Sequence, residues 1–159
     1  MRHLLLALFL LPQLCPAQKI TREIEPGNHA VWLATDQFTL KAGELMLNFR
    51  TLNEGVYIYL YGLGGSIGPH DYAAFILAQD TVTVYSTGTQ AGATAASTYG
   101  IIPLHEYVLA PGDLRKLAAG EVKKVVISNY SGFQYIDVPE RNQDKLMTWS
   151  AALLKAMGN

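Results

Sequence analysis

The chain has almost no cysteine. Its only one, Cys15, lies near the start of 159 residues, so the remainder has no disulfide framework to lean on. Clustered positive charge is missing too. Lys and Arg number 12 against 13 Asp and Glu, and no basic run is longer than the pair Lys123-Lys124. That balance offers no electrostatic footprint for nucleic acid or an anionic membrane. Hydrophobic runs are equally scarce. Leu4 to Leu11 is the longest, too short to cross a bilayer as a helix, and no later run replaces it. Metal-ligand spacing is absent as well. His29, His70, Asp71, His105 and Glu106 offer no helical His-x-x-x-His pair, so neither a metal nor a cofactor is expected.

What is present begins with export. Arg2 and His3 precede the apolar run, and Cys15-Pro16-Ala17 closes it with small residues. This is the order of a secretory signal peptide over residues 1–17, cleaved after Ala17. The alternative is a lipid anchor on Cys15, although Leu14 occupies a place where such signals want a small residue. Removal of the signal leaves 142 of the 159 residues, with 11 basic and 13 acidic groups. That length suits one globular domain, residues 18–159. An exported domain without cysteine fits a bacterial periplasm, cell surface or extracellular setting better than a disulfide-rich secretory route.

The organising stretch is the tail. Val122 to Ser128 and Phe133 to Val138 are β-branched and aromatic, with Asn129-Tyr130-Ser131-Gly132 as turn chemistry between them. Before this hairpin, Ala110 to Leu117 reads as a short helix. Pro111 suits its first turn, Asp113 the positive end of its dipole, and Gly120 ends it. After Pro139 the period changes to about 3.6 residues. Leu146, Trp149, Leu153, Leu154 and Met157 then share one face, which must be buried against the sheet.

Upstream, residues 18–29 are polar and read as a lead-in arm. Ala30 to Ala34, Phe38 to Leu40, Leu45 to Thr51, Val56 to Leu63, Tyr72 to Ala78 and Val82 to Ser86 read as strands. Residues 87–98 are Thr, Ala, Gly, Gln and Ser without apolar periodicity and read as a mobile loop. A strand around Tyr107 to Leu109 leads back to the tail. The expected fold class is α+β, mainly antiparallel: about seven strands as a sandwich or a partly open barrel, closed by the C-terminal helix.

Tyr107-Val108-Leu109, Asp113-Leu114-Arg115-Lys116-Leu117, Val125-Val126-Ile127 and Phe133 to Val138, with the helix after them, resemble small uncharacterised exported bacterial domains. The resemblance covers about a third of the chain (Tyr107 to Leu154), and it implies fold and export only. The order of strands followed by a helix also looks like pleckstrin-homology-type barrels, but no phosphoinositide-binding basic pattern accompanies it.

Two candidate sites emerge. Gly64-Gly65-Ser66-Ile67-Gly68 matches the G-x-S-x-G elbow of serine hydrolases, with His70 or His105 as possible bases. The motif leads into a strand, whereas the elbow requires a helix. The second is aromatic. Tyr57, Tyr59 and Tyr61 share one strand face among nine tyrosines, and a flat apolar body with a polar tip suits a glycan or a protein partner. A covered central strand gives the same pattern. The expectation is a non-catalytic binding or envelope-associated domain, with a small serine hydrolase centred on Ser66 as the alternative.

Overall fold

A computed structural model describes residues 19–24, 31–52, 55–62, 67–90, 95–97, 100–102, 104–110 and 112–158. The strands are β1 (Ile20–Ile24), β2 (Val31–Thr35), β3 (Phe38–Lys41), β4 (Leu45–Leu52), β5 (Gly55–Tyr61), β6 (Tyr72–Leu77) and β7 (Thr81–Gln90). They continue with β8 (Ala95–Ser97), β9 (Gly100–Ile102), β10 (Leu104–Leu109), β11 (Val122–Asn129) and β12 (Gly132–Asp137). Helix α1 (Asp113–Ala119) separates β10 from β11, and a 3-10 turn at Glu140–Asn142 leads into α2 (Gln143–Ala156).

The fold class is the one expected, with more strands. One ten-stranded antiparallel sheet runs β1-β2-β4-β5-β10-β7-β6-β11-β12, with β3 also on β4, and β8 and β9 form a separate hairpin. The sheet is open and single, which removes the sandwich. It is also curled. Helix α2 touches β11 on one flank and β1, β2 and β3 on the other, although five strands lie between β2 and β11 in the sheet. Only a sheet wrapped around the helix satisfies both contacts.

Strand alternation explains the dry interior. On β4 and β5, Leu45, Leu47, Phe49, Ile58 and Leu60 point to one face and have no solvent exposure. Phe75, Val82, Val84, Tyr107, Val125, Ile127 and Ile136 continue that face in one cluster. Helix α2 completes it with Leu146 and Leu153, while Trp149, Leu154 and Met157 pack at its margin. The Trp149 ring stacks on Phe38 with centroids 5.5 Å apart and planes 13° from parallel. The buried Asn142 donates from Nδ2 to the Leu40 carbonyl at 2.8 Å, pinning the start of the helix to β3. Trp149 therefore stands at the edge of the core, with the leucines of the same stripe at its centre.

Threonine hydroxyls splice the ladder where it is thin. β2 and β4 share one registered pair, Ala34 with Arg50. On either side the Phe49 N–H donates to Thr35 Oγ1 at 2.9 Å, and the Leu33 N–H to Thr51 Oγ1 at 3.0 Å. These bonds satisfy backbone donors that the irregular pairing leaves over. Two glycines are required by geometry. Gly132 closes the β11–β12 turn with φ 120°, and Gly62 ends β5 with φ 89°. A Cβ on Gly62 would meet the Glu44 carbonyl oxygen at 2.7 Å, so no other residue fits there.

Two upstream expectations change. Within the expected arm, Ile20–Ile24 is edge strand β1, in full register with β2. Within the expected loop, β7 runs on to Gln90, which lies opposite His105, and Ala95–Ser97 pairs with β9. In both places the neighbouring strand offers backbone partners whatever the side-chain pattern. Residues 91–94 and 98 of that expected loop lie outside the described residues, as does the expected signal peptide.

Candidate functional site

The outer face of the sheet is where aromatic side chains accumulate. On β5 the tyrosines alternate with core residues, so Tyr57, Tyr59 and Tyr61 point away from α2. They are not an exposed row. Tyr59 and Tyr61 are buried, Tyr57 is half-buried, and Met46 packs against them in a second, small cluster. The tips of Tyr59 and Tyr61 are satisfied from neighbouring strands. The Tyr61 hydroxyl donates to Asn48 Oδ1 at 3.1 Å, and the Tyr59 hydroxyl to Glu106 Oε2 at 2.6 Å. Burial pushes the Tyr59 phenol far above its ordinary value, and the hydrogen bond to Glu106 and its charge push the same way.

Arg50 lies in the same layer. Its guanidinium carbon is 5.7 Å from the centre of the Trp32 ring and 5.5 Å from that of Tyr59. Both distances are those of cation–π contacts. Among the described residues Arg50 has no ion pair. Arg50 Nε and Trp32 Nε1 are both buried without a hydrogen-bond acceptor among those residues.

The exposed aromatics lie further across the same face. Tyr85 on β7 is 60 % exposed, and Phe133 and Tyr135 on β12 are 59 % and 65 % exposed. Register places Tyr72 opposite Tyr85, and Phe133 opposite Ser128. One step beyond the pair Ala73 and Ile127, Tyr72 meets Ser128, whose Oγ accepts the Tyr72 N–H at 3.1 Å. Ring centroids run 6.4 Å from Tyr85 to Tyr72, 6.3 Å from Tyr72 to Phe133 and 6.4 Å from Phe133 to Tyr135. Tyr72 and Phe133 are two strands apart, so their rings lean towards each other above the small Ser128.

This row continues to Arg50. Tyr85 opposes Val108, Val108 opposes Tyr57, and Tyr57 opposes Arg50. Sequence reasoning put Tyr57, Tyr59 and Tyr61 first, held Tyr72, Tyr85 and Tyr135 only as tyrosines available from other elements, and missed Phe133 and Arg50. Alternation within one strand marks a face, but the exposed row exists only through pairing between strands far apart in the chain.

The hydrolase candidates are not assembled into a site by the described residues. Ser66 lies outside them, and the neighbouring Ile67 is buried in the core. His70 is on an exposed turn. Asp71 is engaged structurally: Oδ2 accepts the Gly68 N–H at 2.6 Å and Oδ1 accepts the Ser128 hydroxyl at 2.7 Å. His105 faces the core at 2 % exposure, and its Nε2 has no partner among the described residues. Burial pushes His105 below the ordinary histidine value. Tyr107, two residues on, is also wholly buried with its hydroxyl unpartnered, and burial raises its phenol, assisted by the charge of Asp71.

Among the described residues no three His, Cys, Asp or Glu side chains converge as metal ligands. No described helix is long and apolar enough to cross a membrane. A groove of about 420 Å³ lies between Leu114 of α1, Leu154 of α2 and the paired strand ends at Val56 and Leu109. Its lining is mostly apolar and holds no nucleophile paired with a base. No protein-family model matches this chain, and no curated protein or solved structure matches it either.

Proposed function

We propose that this chain is an exported, non-catalytic domain that binds a glycan along the outer face of its sheet. The observation that carries this reading is the row of Tyr85, Tyr72, Phe133 and Tyr135, each ring 6.3–6.4 Å from the next. Aromatic side chains left in water on strands already stabilised from the inner face contribute little to folding. They offer flat apolar faces to sugar C–H groups, and the tyrosines add hydroxyls for sugar hydroxyls. Thr83 adds a polar atom within the same rows, whereas the Ser128 hydroxyl is buried and engaged by Asp71 and the Tyr72 N–H. The rings are rigid at low entropic cost, which suits a ligand that is itself a stiff ring.

Affinity electrophoresis of the purified protein through gels containing soluble polysaccharides tests the reading. Retardation by at least one polysaccharide is expected, and Tyr85→Ala combined with Phe133→Ala should abolish it while the thermal melt barely moves. No retardation by any polysaccharide, with a protein partner captured through the same four side chains, would replace the glycan by a protein.

A further inference from the structure

A half-buried arginine, without a counter-ion among the described residues, is the least settled group on this face. Arg50 is flanked by Trp32 and Tyr59, its guanidinium carbon 5.7 and 5.5 Å from the two ring centres. Its terminal pair of N–H groups forms a fork that matches a carboxylate in two-point fashion. Arg50 Nε already lacks an acceptor, and so does the Trp32 Nε1–H beside it. Both of those donors are closed to solvent, so a ligand oxygen meets Arg50 through its terminal N–H groups, which donate to no described residue. Asn48 and Glu106, polar groups of the same layer, are occupied by the Tyr61 and Tyr59 hydroxyls.

We propose that the glycan is acidic, and that Arg50, held against the Trp32 ring, reads a sugar carboxylate at one end of the aromatic row. This rests on the glycan reading and names its substrate class. One guanidinium balances a single negative charge, which fits a uronate better than a phosphate dianion. Continuity supports a chain-like ligand. Arg50, Tyr57, Val108, Tyr85, Tyr72, Ser128 and Phe133 are cross-strand neighbours in succession from β4 to β12. Those six inter-strand steps of about 4.8 Å make roughly 29 Å, room for several sugar units in line.

The test is calorimetric titration of the purified protein with an oligogalacturonate and with a neutral cello-oligosaccharide of the same length. The acidic ligand should bind about tenfold tighter or more, as a charge-assisted contact implies, and the advantage should shrink as salt rises. Arg50→Gln should erase that advantage. Arg50→Lys, with the charge but not the fork, should restore only part of it. Arg50→Met keeps the apolar stem and deletes the charge, and it serves if Arg50→Gln fails to fold. Equal affinity for both ligands in the wild type overturns the acidic inference and leaves the glycan reading standing. So does unchanged acidic affinity in Arg50→Gln, or in Arg50→Met where that variant serves instead, since Arg50 would then serve packing alone. Binding of neither ligand, together with a gel screen in which no polysaccharide retards the protein, ends both readings.

Discussion

The two faces of this sheet are built from the same strands and do opposite things. Inward, Phe49, Ile58, Phe75, Val125 and Ile127 are fully dry beneath α2. Outward, the same strands or their ladder neighbours carry Arg50, Tyr57, Tyr72 and Tyr85, and the face grades from a closed tyrosine cluster near β5 to exposed rings at β12. A sheet curled around one helix has a single concave side to fill, so stability concentrates there. The convex side is free to vary, and aromatic residues kept exposed on it call for an explanation other than folding.

The sharpest way to break the comparison is to remove the filler. Deleting residues 143–159 takes Leu146 and Leu153 out of the core and frees the sheet's inner face. Loss of cooperative thermal unfolding is expected by calorimetry, whereas a truncated chain with a sharp transition would mean that the sheet closes unaided. Next comes a matched pair of phenylalanines. Phe75→Ala, at 0 % exposure, should cost about 3–5 kcal/mol in urea titrations. Phe133→Ala, at 59 % exposure, should stay within about 0.5 kcal/mol. Similar costs for the two would erase the distinction between the faces.

Tyr59 tests the intermediate zone, where an outer-face residue is nevertheless buried. Tyr59→Phe leaves the ring on Arg50 and strips the donor from Glu106. A loss of about 1–2 kcal/mol is expected by chemical denaturation, smaller than an inner-face cavity and larger than Phe133→Ala. An unchanged midpoint would mean that water replaces the hydroxyl freely and that the zone is wet.

The smallest effect is a pH slope. Burial holds His105 below its unfolded value of about 6.5. Above that value the histidine is neutral in both states and its contribution is fully present. As pH falls below it, the unfolded chain takes up the proton first, so stability declines until His105 also protonates in the fold. Denaturation midpoints measured between pH 7.5 and 5 should therefore fall, and His105→Gln should flatten part of that decline. An identical slope in the variant would assign the pH response to other groups.

Much of the architecture was legible along the chain. The stripe Leu146, Trp149, Leu153, Leu154 and Met157 repeats at helical spacing, and Asn129 to Gly132 carries its turn in its residue types. α1 was readable from Asp113 and Gly120, and it ends at Ala119. Strand β1 and the far end of β7 were not legible, because polar strands there exist through backbone pairing with β2 and β10. The candidate site was legible only in kind. Tyr57, Tyr59 and Tyr61 alternate just as Phe133 and Tyr135 do, yet the first group is mostly buried and the second exposed.

Local pattern by itself therefore determined the class of fold, the closing helix, the last hairpin and which side chains share a strand face. Periodicity is a property of neighbouring residues, and it survives in any context that keeps the element. Tertiary structure alone decided that the sheet is open and curled around α2, which aromatics meet water, and that Arg50 comes to lie between Trp32 and Tyr59. Those outcomes depend on register between strands distant in sequence, where a shift of one residue would turn every side chain to the other face.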